Sequence, residues 1–234
     1  MSTFVLIPGA GGIAWYWHRV VPLLEQAGHP AVPVDLPADD DSAGLTDYTE
    51  RVVAKAPDRA DVVLVASSMG AFTAPLVAAQ RPVTAVVLVN PMIPVPGETP
   101  GEWWGHTGWE PARVAAAERD GYDPVFDPAS PASNETYFMH DVPSEVAATG
   151  AAYQRDQSPT VFGSACAFEA WPPVPIHVVA GRDDRFFPVG FQRQVARERL
   201  GLEIDVLPGG HLLALAQPIA LADYLMTNAL TSRT

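Results

Sequence analysis

Lysine occurs once in these 234 residues, at Lys55, and cysteine once, at Cys166. With 14 basic residues against 27 acidic ones the formal net charge is −13, and there is no cluster of Lys and Arg with which to neutralise phosphates, so nucleic acid is not an expected partner. A lone cysteine has no companion for an intramolecular disulfide or at metal-ligand spacing, and the expectation is a buried, inert thiol. The apolar segment that begins at Thr3 has no basic leader and soon meets glycine, too short for a signal peptide or a membrane span. The expected setting is therefore the cytoplasm, with no membrane partner. H-E-x-x-H, paired cysteines and a lysine-bearing phosphate loop are all missing, so no metal or organic cofactor is expected.

What is present is enough apolar content, 48%, for one sizeable core. The 18 glycines and 24 prolines gather in loops and in the middle third of the chain, below the composition that signals disorder. Six runs are continuous in aliphatic and β-branched residues, as strands buried on both faces are: TFVLI from Thr3, AVPVD from Ala31, DVVLVAS from Asp61, TAVVLVN from Thr84, PIHVVA from Pro175 and EIDVL from Glu203. Helical stretches alternate with them, at Trp15 to Ala27, Thr46 to Ala56, Met69 to Gln80, Val189 to Arg199 and Pro218 to Leu230. The pattern predicts an α/β protein with a doubly wound, mostly parallel six-stranded sheet.

The regular spacing breaks after Asn90, and no strand is expected again before Pro175. The intervening stretch is rich in aromatic residues and proline, with helices expected at Glu110 to Arg119 and at Ser144 to Gln157, the second capped by Asp141 with Pro143 in its first turn. Residues 1–90 and 172–234 are thus assigned to the core, and 91–171 to a helical lid over the carboxyl edge of the sheet, where open α/β folds bind ligands.

Three motifs carry chemistry. In VASSMGAF a buried strand runs into Ala66-Ser67-Ser68-Met69-Gly70 and then a helix, the signature of a tight strand-to-helix elbow that lifts Ser68 above the sheet and tolerates only small residues two places either side. In VVAGRDDRFFP an acid just past the fifth strand can reach a histidine on the next loop, and Asp183 and Asp184 compete for that role. In LPGGHLLALAQP two glycines present His211 on a loop at the same edge. Serine, acid and histidine follow in that chain order, each directly after a strand. The other histidines, His18, His29, His106, His140 and His177, lack such a setting and are read as structural, with His140 kept as a candidate substrate contact.

A rival lies in the first loop. Gly9-Ala10-Gly11-Gly12-Ile13-Ala14 fits G-x-G-x-x-A after a strand, and Asp35 ends the next strand, as in dinucleotide-binding proteins. Against an NAD(P)-dependent oxidoreductase, the tyrosine-to-lysine relay at four-residue spacing is absent, since Lys55 is preceded four places earlier by Arg51. The same glycines can instead turn backbone amides toward a developing oxyanion.

The two ends of the chain, FVLIPGAGGIAWYWHRVVPLLEQAGHPAVPVDLPA and FFPVGFQRQVARERLGLEIDVLPGGHLLALAQP, resemble the α/β-hydrolase superfamily, in particular the plant methyl esterases and hydroxynitrile lyases and their bacterial relatives. The resemblance implies the α/β-hydrolase fold, with Ser68 as nucleophile, Asp184 rather than Asp183 as the acid, His211 as the base, and the amides of Ala10 and Met69 as oxyanion donors. The lyases carry threonine where this chain has Gly9 and lysine where it has Leu212, which disfavours cyanide release. The expected activity is a serine carboxylesterase acting on a small or medium apolar ester, thioester or lactone through an acyl-enzyme. Trp15, Trp104, Phe138, His140 and Leu212 are expected to line the pocket. A non-hydrolytic lyase or cyclase and a ligand receptor remain alternatives, because this fold hosts both. A small molecule is the expected partner, and the oligomeric state is left open, a homodimer included.

Overall fold

The computed structural model describes residues 1–58 and 61–231; residues 59, 60 and 232–234 of the core assignment lie outside the described residues. Six strands form one sheet, parallel throughout: β1 Thr3–Ile7, β2 Ala31–Pro33, β3 Val62–Ser67, β4 Ala85–Val89, β5 Ile176–Gly181 and β6 Asp205–Leu207, in the order β2-β1-β3-β4-β5-β6. Each lies within a run read as a strand from sequence, apart from an extension of β5 by one residue to Gly181. The runs are continuous in apolar residues because successive side chains feed opposite layers and both layers are dry. Val5, Ile7, Leu64, Val86 and Leu88 face one core, while Phe4, Leu6, Val63, Val65 and Val87 face the other.

Helices α1 Val21–Gln26, α2 Leu45–Lys55 and α3 Thr73–Ala78 lie in the first half of the chain. Four more, α4 Pro100–Thr107, α5 Trp109–Asp120, α6 Pro131–Asn134 and α7 Ser144–Gly150, lie between β4 and β5. Helix α8 Val189–Leu200 joins β5 to β6, and α9 Leu213–Ala216 and α10 Pro218–Thr231 follow. The leftward step from β1 to β2 puts α1 on one face with α10, through Leu24, Leu221 and Leu225. The rightward steps put α2, α3 and α8 on the other, through Tyr48, Val52, Val77, Phe191 and Val195. Crossovers of one hand demand this division. The winding reverses direction between β1 and β3, so the connections that leave their carboxyl ends run to opposite faces of the sheet and open a crevice there.

Several local expectations are corrected. The stretch Trp15 to Ala27 divides into a 3-10 turn, Ala14–Trp17, and α1, and Met69 to Gln80 divides into a 3-10 turn, Ser68–Phe72, and α3. Helix α7 ends at Gly150, well short of Gln157, and its N-cap is Pro143. Asp141 does not cap it, because its carboxylate is spent on a distant amide, that of Gly210. Helix α4 was not foreseen, although Thr99-Pro-Gly-Glu102 spells its capping box: Thr99 Oγ1 accepts from Glu102 N at 3.1 Å and Glu102 Oε2 from Thr99 N at 2.9 Å. A π-helical turn, Glu135–Met139, follows α6. Among the described residues no helix is long and apolar enough to cross a membrane.

The stretch between β4 and β5 is tied to the core by a buried ion pair. Glu98, 1% exposed at its side chain, is clasped by both terminal nitrogens of Arg199 on α8, and its Oε1 also meets His106 Nδ1 at 2.9 Å. Burial pushes the Glu98 carboxyl up, but the hydrogen bonds from Arg199 and His106 outweigh it and hold it below the ordinary range. Replacing Glu98 by alanine leaves Arg199 buried and unpaired, and is expected to cost about 3–5 kcal/mol of unfolding free energy. Because the folded carboxyl is depressed, the stabilisation is present above its unfolded pKa and fades as pH falls through the folded value. Urea denaturation of wild type and Glu98→Ala at pH 7 and under acid should therefore converge at low pH; curves that stay parallel at every pH would contradict this.

Candidate active site

Ser68 stands at the crevice between β1 and β3, the first residue after β3. Its backbone is left-handed, φ 51°, which an L-residue adopts at a cost of about 1–3 kcal/mol and only where its surroundings hold it there. The hold is steric as well as hydrogen-bonded. A methyl group on Gly70 would sit 2.3 Å from Pro8 O, so the turn passes beneath the first loop only with glycine there, while Ser68 O accepts from Met92 N at 3.0 Å. Ala66, where glycine is usual, lies fully buried in β3 between Ile7 and Leu88.

Ser68 Oγ lies 3.1 Å from His211 Nε2, and His211 Nδ1 lies 2.8 Å from Asp184 Oδ2. Since a carboxylate only accepts, Nδ1 carries the imidazole proton and Nε2 is left to accept from the Ser68 hydroxyl. Asp184 and His211 are 4% and 3% exposed, whereas Ser68 is half-buried and reachable. Asp184 Oδ1 accepts from the amides of Phe186 and Phe187, both at 2.8 Å, and Oδ2 from Gln192 Nε2 at 3.3 Å, so the buried carboxylate has its lone pairs filled. Of the two competing aspartates the geometry selects Asp184; Asp183 is exposed, paired with Arg182 at 3.1 Å.

Asn90 was passed over in the sequence, read merely as the end of a strand. It is fully buried at φ 43°, and its side chain joins three segments: Nδ2 donates to Gly210 O at 3.1 Å and to His211 O at 2.8 Å, and Oδ1 accepts from Gly181 N at 2.7 Å. The end of β4 thus pins the histidine loop to the end of β5. Gln192 adds a link, donating from α8 to Phe187 O at 2.7 Å. Tyr16 was missed as well. Its hydroxyl accepts from Ser67 Oγ at 3.3 Å beside the elbow, and burial raises its pKa to about 12. A polar residue closing an apolar run was the one available signal for Asn90.

The first loop arches over the elbow. Gly11 N donates to Gln157 Oε1 at 3.0 Å and Ala14 N to Asp35 Oδ1 at 2.9 Å, so the acid that the rival dinucleotide reading would place on a ribose instead fastens this loop. A 3-10 turn follows rather than a helix N-terminus that could face a pyrophosphate. The Ala10 and Met69 amides donate to no protein acceptor among the described residues. No group of three or more His, Cys, Asp or Glu side chains among them is placed to hold a metal.

The five residues expected in a pocket scatter. Phe138 meets the His211 ring edge to face at 5.3 Å, in company with Phe186 at 5.3 Å and Phe187 at 5.0 Å, two aromatics that sequence reading had left out despite their place beside the acid. Trp104 stands one ring further out, against Trp103, Trp109 and Phe186. Leu212 and Trp15 pack with Val142, Val146 and Leu215. Trp15 also stacks on Tyr153 at 5.1 Å, at a shallow concavity of about 470 Å³ that contains none of the three residues Ser68, Asp184 and His211. His140 lies beside Gly210, its Nε2 buried without a protein partner among the described residues; burial, then Arg185, holds its pKa below the ordinary value. His18 stacks on Trp15, His29 accepts from Ser2 N and His106 pairs with Glu98. Cys166 is buried, its thiol pushed up to about 12 by burial.

A parallel sheet of this order, with a strained serine after β3 and an acid and a histidine after β5 and β6, is the arrangement of an α/β hydrolase. The chain belongs to the alpha/beta hydrolase family, whose pattern matches residues 4–224. Norfluorocurarine synthase 1 of a Strychnos species is 24% identical over 243 residues, covering 92% of this chain and 90% of that one. Polyneuridine aldehyde esterase of Rauvolfia serpentina is 33% identical over 108 residues, 41% of each chain, and methylesterase 3 of Arabidopsis thaliana 30% identical over 140 residues, 54% of this chain and 51% of that one. In these two relatives the match thus spans about half of their length or less. The solved structure of polyneuridine aldehyde esterase superposes with a TM-score of 0.76 at 21% identity, covering 97% of this chain and 98% of that one. The pyrethroid hydrolase of Sphingobium faniae JZ-2 does so at 0.75 and 23%, covering 97% of each.

Replacing Asn90 by alanine strips partners from two buried carbonyls and one buried amide, and each orphaned group costs about 1–3 kcal/mol. The variant is expected to lose at least about 3 kcal/mol in chemical denaturation. A loss below about 1 kcal/mol would mean that water or a shifted loop satisfies the same groups.

Proposed function

We propose that the protein is a serine carboxylesterase of the alpha/beta hydrolase family, working through an acyl-enzyme. One observation carries the reading: a single buried imidazole spans Asp184 at 2.8 Å and the hydroxyl of a strained, reachable Ser68 at 3.1 Å. In this mechanism Ser68 Oγ attacks the ester carbonyl carbon while His211 Nε2 takes the hydroxyl proton, and Asp184 holds the tautomer that leaves Nε2 free to do so. The carbonyl oxygen becomes an oxyanion, which the amides of Ala10 and Met69 stabilise, each worth about a hundredfold to a thousandfold in rate. Collapse breaks the bond to the alcohol oxygen, which leaves with the proton from His211. Water then attacks the acyl-serine with the same imidazole as base, releasing acid and free Ser68.

The rings of Phe138, Phe186 and Phe187 around the imidazole favour a small or medium apolar ester, which costs little to desolvate there. The helical segment 91–171 is the lid of this site, since Phe138 approaches His211 from it and Gln157 holds the first loop. Relatives named esterase and methylesterase, and structural neighbours named pyrethroid hydrolase, support ester chemistry. A second, non-hydrolytic reading is favoured by a different relative, aligned over 92% of this chain, which is named a synthase.

Intact mass after incubation with a fluorophosphonate should show one adduct on wild type and none on Ser68→Ala. An adduct that survives Ser68→Ala, or none on wild type, removes the serine nucleophile. Across a panel of esters, thioesters and lactones, turnover of at least one member should fall about 10⁴-fold or more in Ser68→Ala. An adduct with no turnover of any panel member would shift the conclusion to the non-hydrolytic reading.

A further inference from the structure

The loop that carries His211 is held by side chains from three directions. Asn90 holds the Gly210 and His211 carbonyls from the sheet, and Asp183 Oδ2 accepts from Gly209 N at 3.2 Å from the end of β5. The third hold comes from the segment between β4 and β5. Asp141, just after the π-helical turn that ends at Met139, accepts from Gly210 N through Oδ2 at 2.6 Å, across 69 residues of sequence. Gly210 directly precedes His211, so the peptide plane that Asp141 grips is adjacent to the one from which the imidazole projects.

The contact is close-packed as well as polar. A methyl group on Gly210 would sit 2.9 Å from Asp141 Oδ1 and 2.9 Å from His140 Nε2, so glycine alone admits both side chains at this range. Among the described residues Asp141 Oδ1 is buried without a protein partner, as is His140 Nε2. An unpartnered buried carboxylate oxygen is costly, and neither a helix cap nor an ion pair accounts for Asp141 being here. The same short segment brings the Phe138 ring to 5.3 Å from His211.

We propose that Asp141 is a positioning residue for the candidate active site: its carboxylate, through the Gly210 amide, sets the histidine loop so that His211 Nε2 faces Ser68. The segment that covers the site thereby also aligns its base. Departure of this segment releases the Gly210 amide and relaxes the imidazole away from the 3.1 Å contact with Ser68. A displacement of about 1 Å at a reacting group can cost about a hundredfold in rate, so one misplaced loop peptide is enough to be measured.

The inference rests on the reading of Ser68 and His211 as nucleophile and base, and its test separates the two. The rate constant for fluorophosphonate labelling of Ser68 is measured on wild type, Asp141→Ala and Asp141→Asn, at a temperature where thermal melts place all three in the folded baseline. Absence of labelling on wild type would sink the functional reading itself, and this inference with it. With wild type labelled, the expected result is a tenfold to hundredfold slower rate for Asp141→Ala and a rate within about threefold of wild type for Asp141→Asn, whose amide oxygen can still accept from Gly210 N. On an ester that wild type turns over, the alanine variant should lose kcat with KM little changed. An alanine variant within twofold of wild type, or an asparagine variant as slow as alanine, overturns the assignment. Should Asp141→Ala not fold, Asp141→Glu carries the test: the longer arm keeps the charge but displaces the acceptor, so slow labelling supports the inference and a wild-type rate overturns it.

Discussion

The imidazole of His211 has to satisfy two partners that reach it from different strands, the carboxylate of Asp184 after β5 and the hydroxyl of Ser68 after β3. Neither contact survives a shift of an ångström or so, because hydrogen bonds weaken steeply outside a narrow range of distance and angle. The loop bearing the histidine contains two adjacent glycines, Gly209 at φ 111° and Gly210, and is therefore intrinsically free to wander. What fixes it is a set of polar side chains around it: the buried Asn90, the exposed Asp183 and the half-buried Asp141. Asn90, fully desolvated, has no water to fall back on, so its bonds do most to hold the loop in one place.

The sheet supplies the rigidity on which this polar cluster is built. Both faces of β1, β3 and β4 are dry, and consecutive side chains are locked into two separate apolar layers. A one-residue slip of any of these strands would send each side chain into the wrong layer, so the positions of Ser68 after β3 and Asn90 after β4 are tightly specified. That stability permits strain at the elbow. Ser68 and Asn90 are the two non-glycine residues with positive φ among the described residues, and each directly follows a strand, β3 and β4 respectively.

The segment between β4 and β5 is held to the core by different physics at its two ends. Near its start, Glu98 and Arg199 form a buried ion pair against α8, the helix that also carries Gln192. Near its end, Gln157 and Asp141 accept from backbone amides of the first loop and the histidine loop. Between them, Trp109, Phe126 and Phe138 pack on Phe186, and hydrogen bonds run from Trp109 Nε1 to Phe186 O at 2.7 Å and from Arg185 to Thr136 O at 3.1 Å.

The amino-acid sequence by itself determined the sheet, its strands and the edge at which chemistry gathers. Continuous β-branched runs and the spacing of small residues about Ser68 are local properties, legible within a window of ten residues. It also marked both Asp183 and Asp184, without the means to choose by spacing alone, and it placed Asp141 at a helix cap, because adjacency along the chain is all that a local pattern can weigh. Only the tertiary structure decided that Asp184 turns inward while Asp183 meets Arg182, that Asn90 joins β4, β5 and the histidine loop, and that Asp141 reaches Gly210 across 69 residues. Trp15 and Trp104, expected at the pocket, lie away from the imidazole, while Phe186 and Phe187 surround it. The reason is physical: a buried polar group is placed by whichever partner can desolvate with it, and that partner is a matter of distance in space, which separation along the chain does not encode.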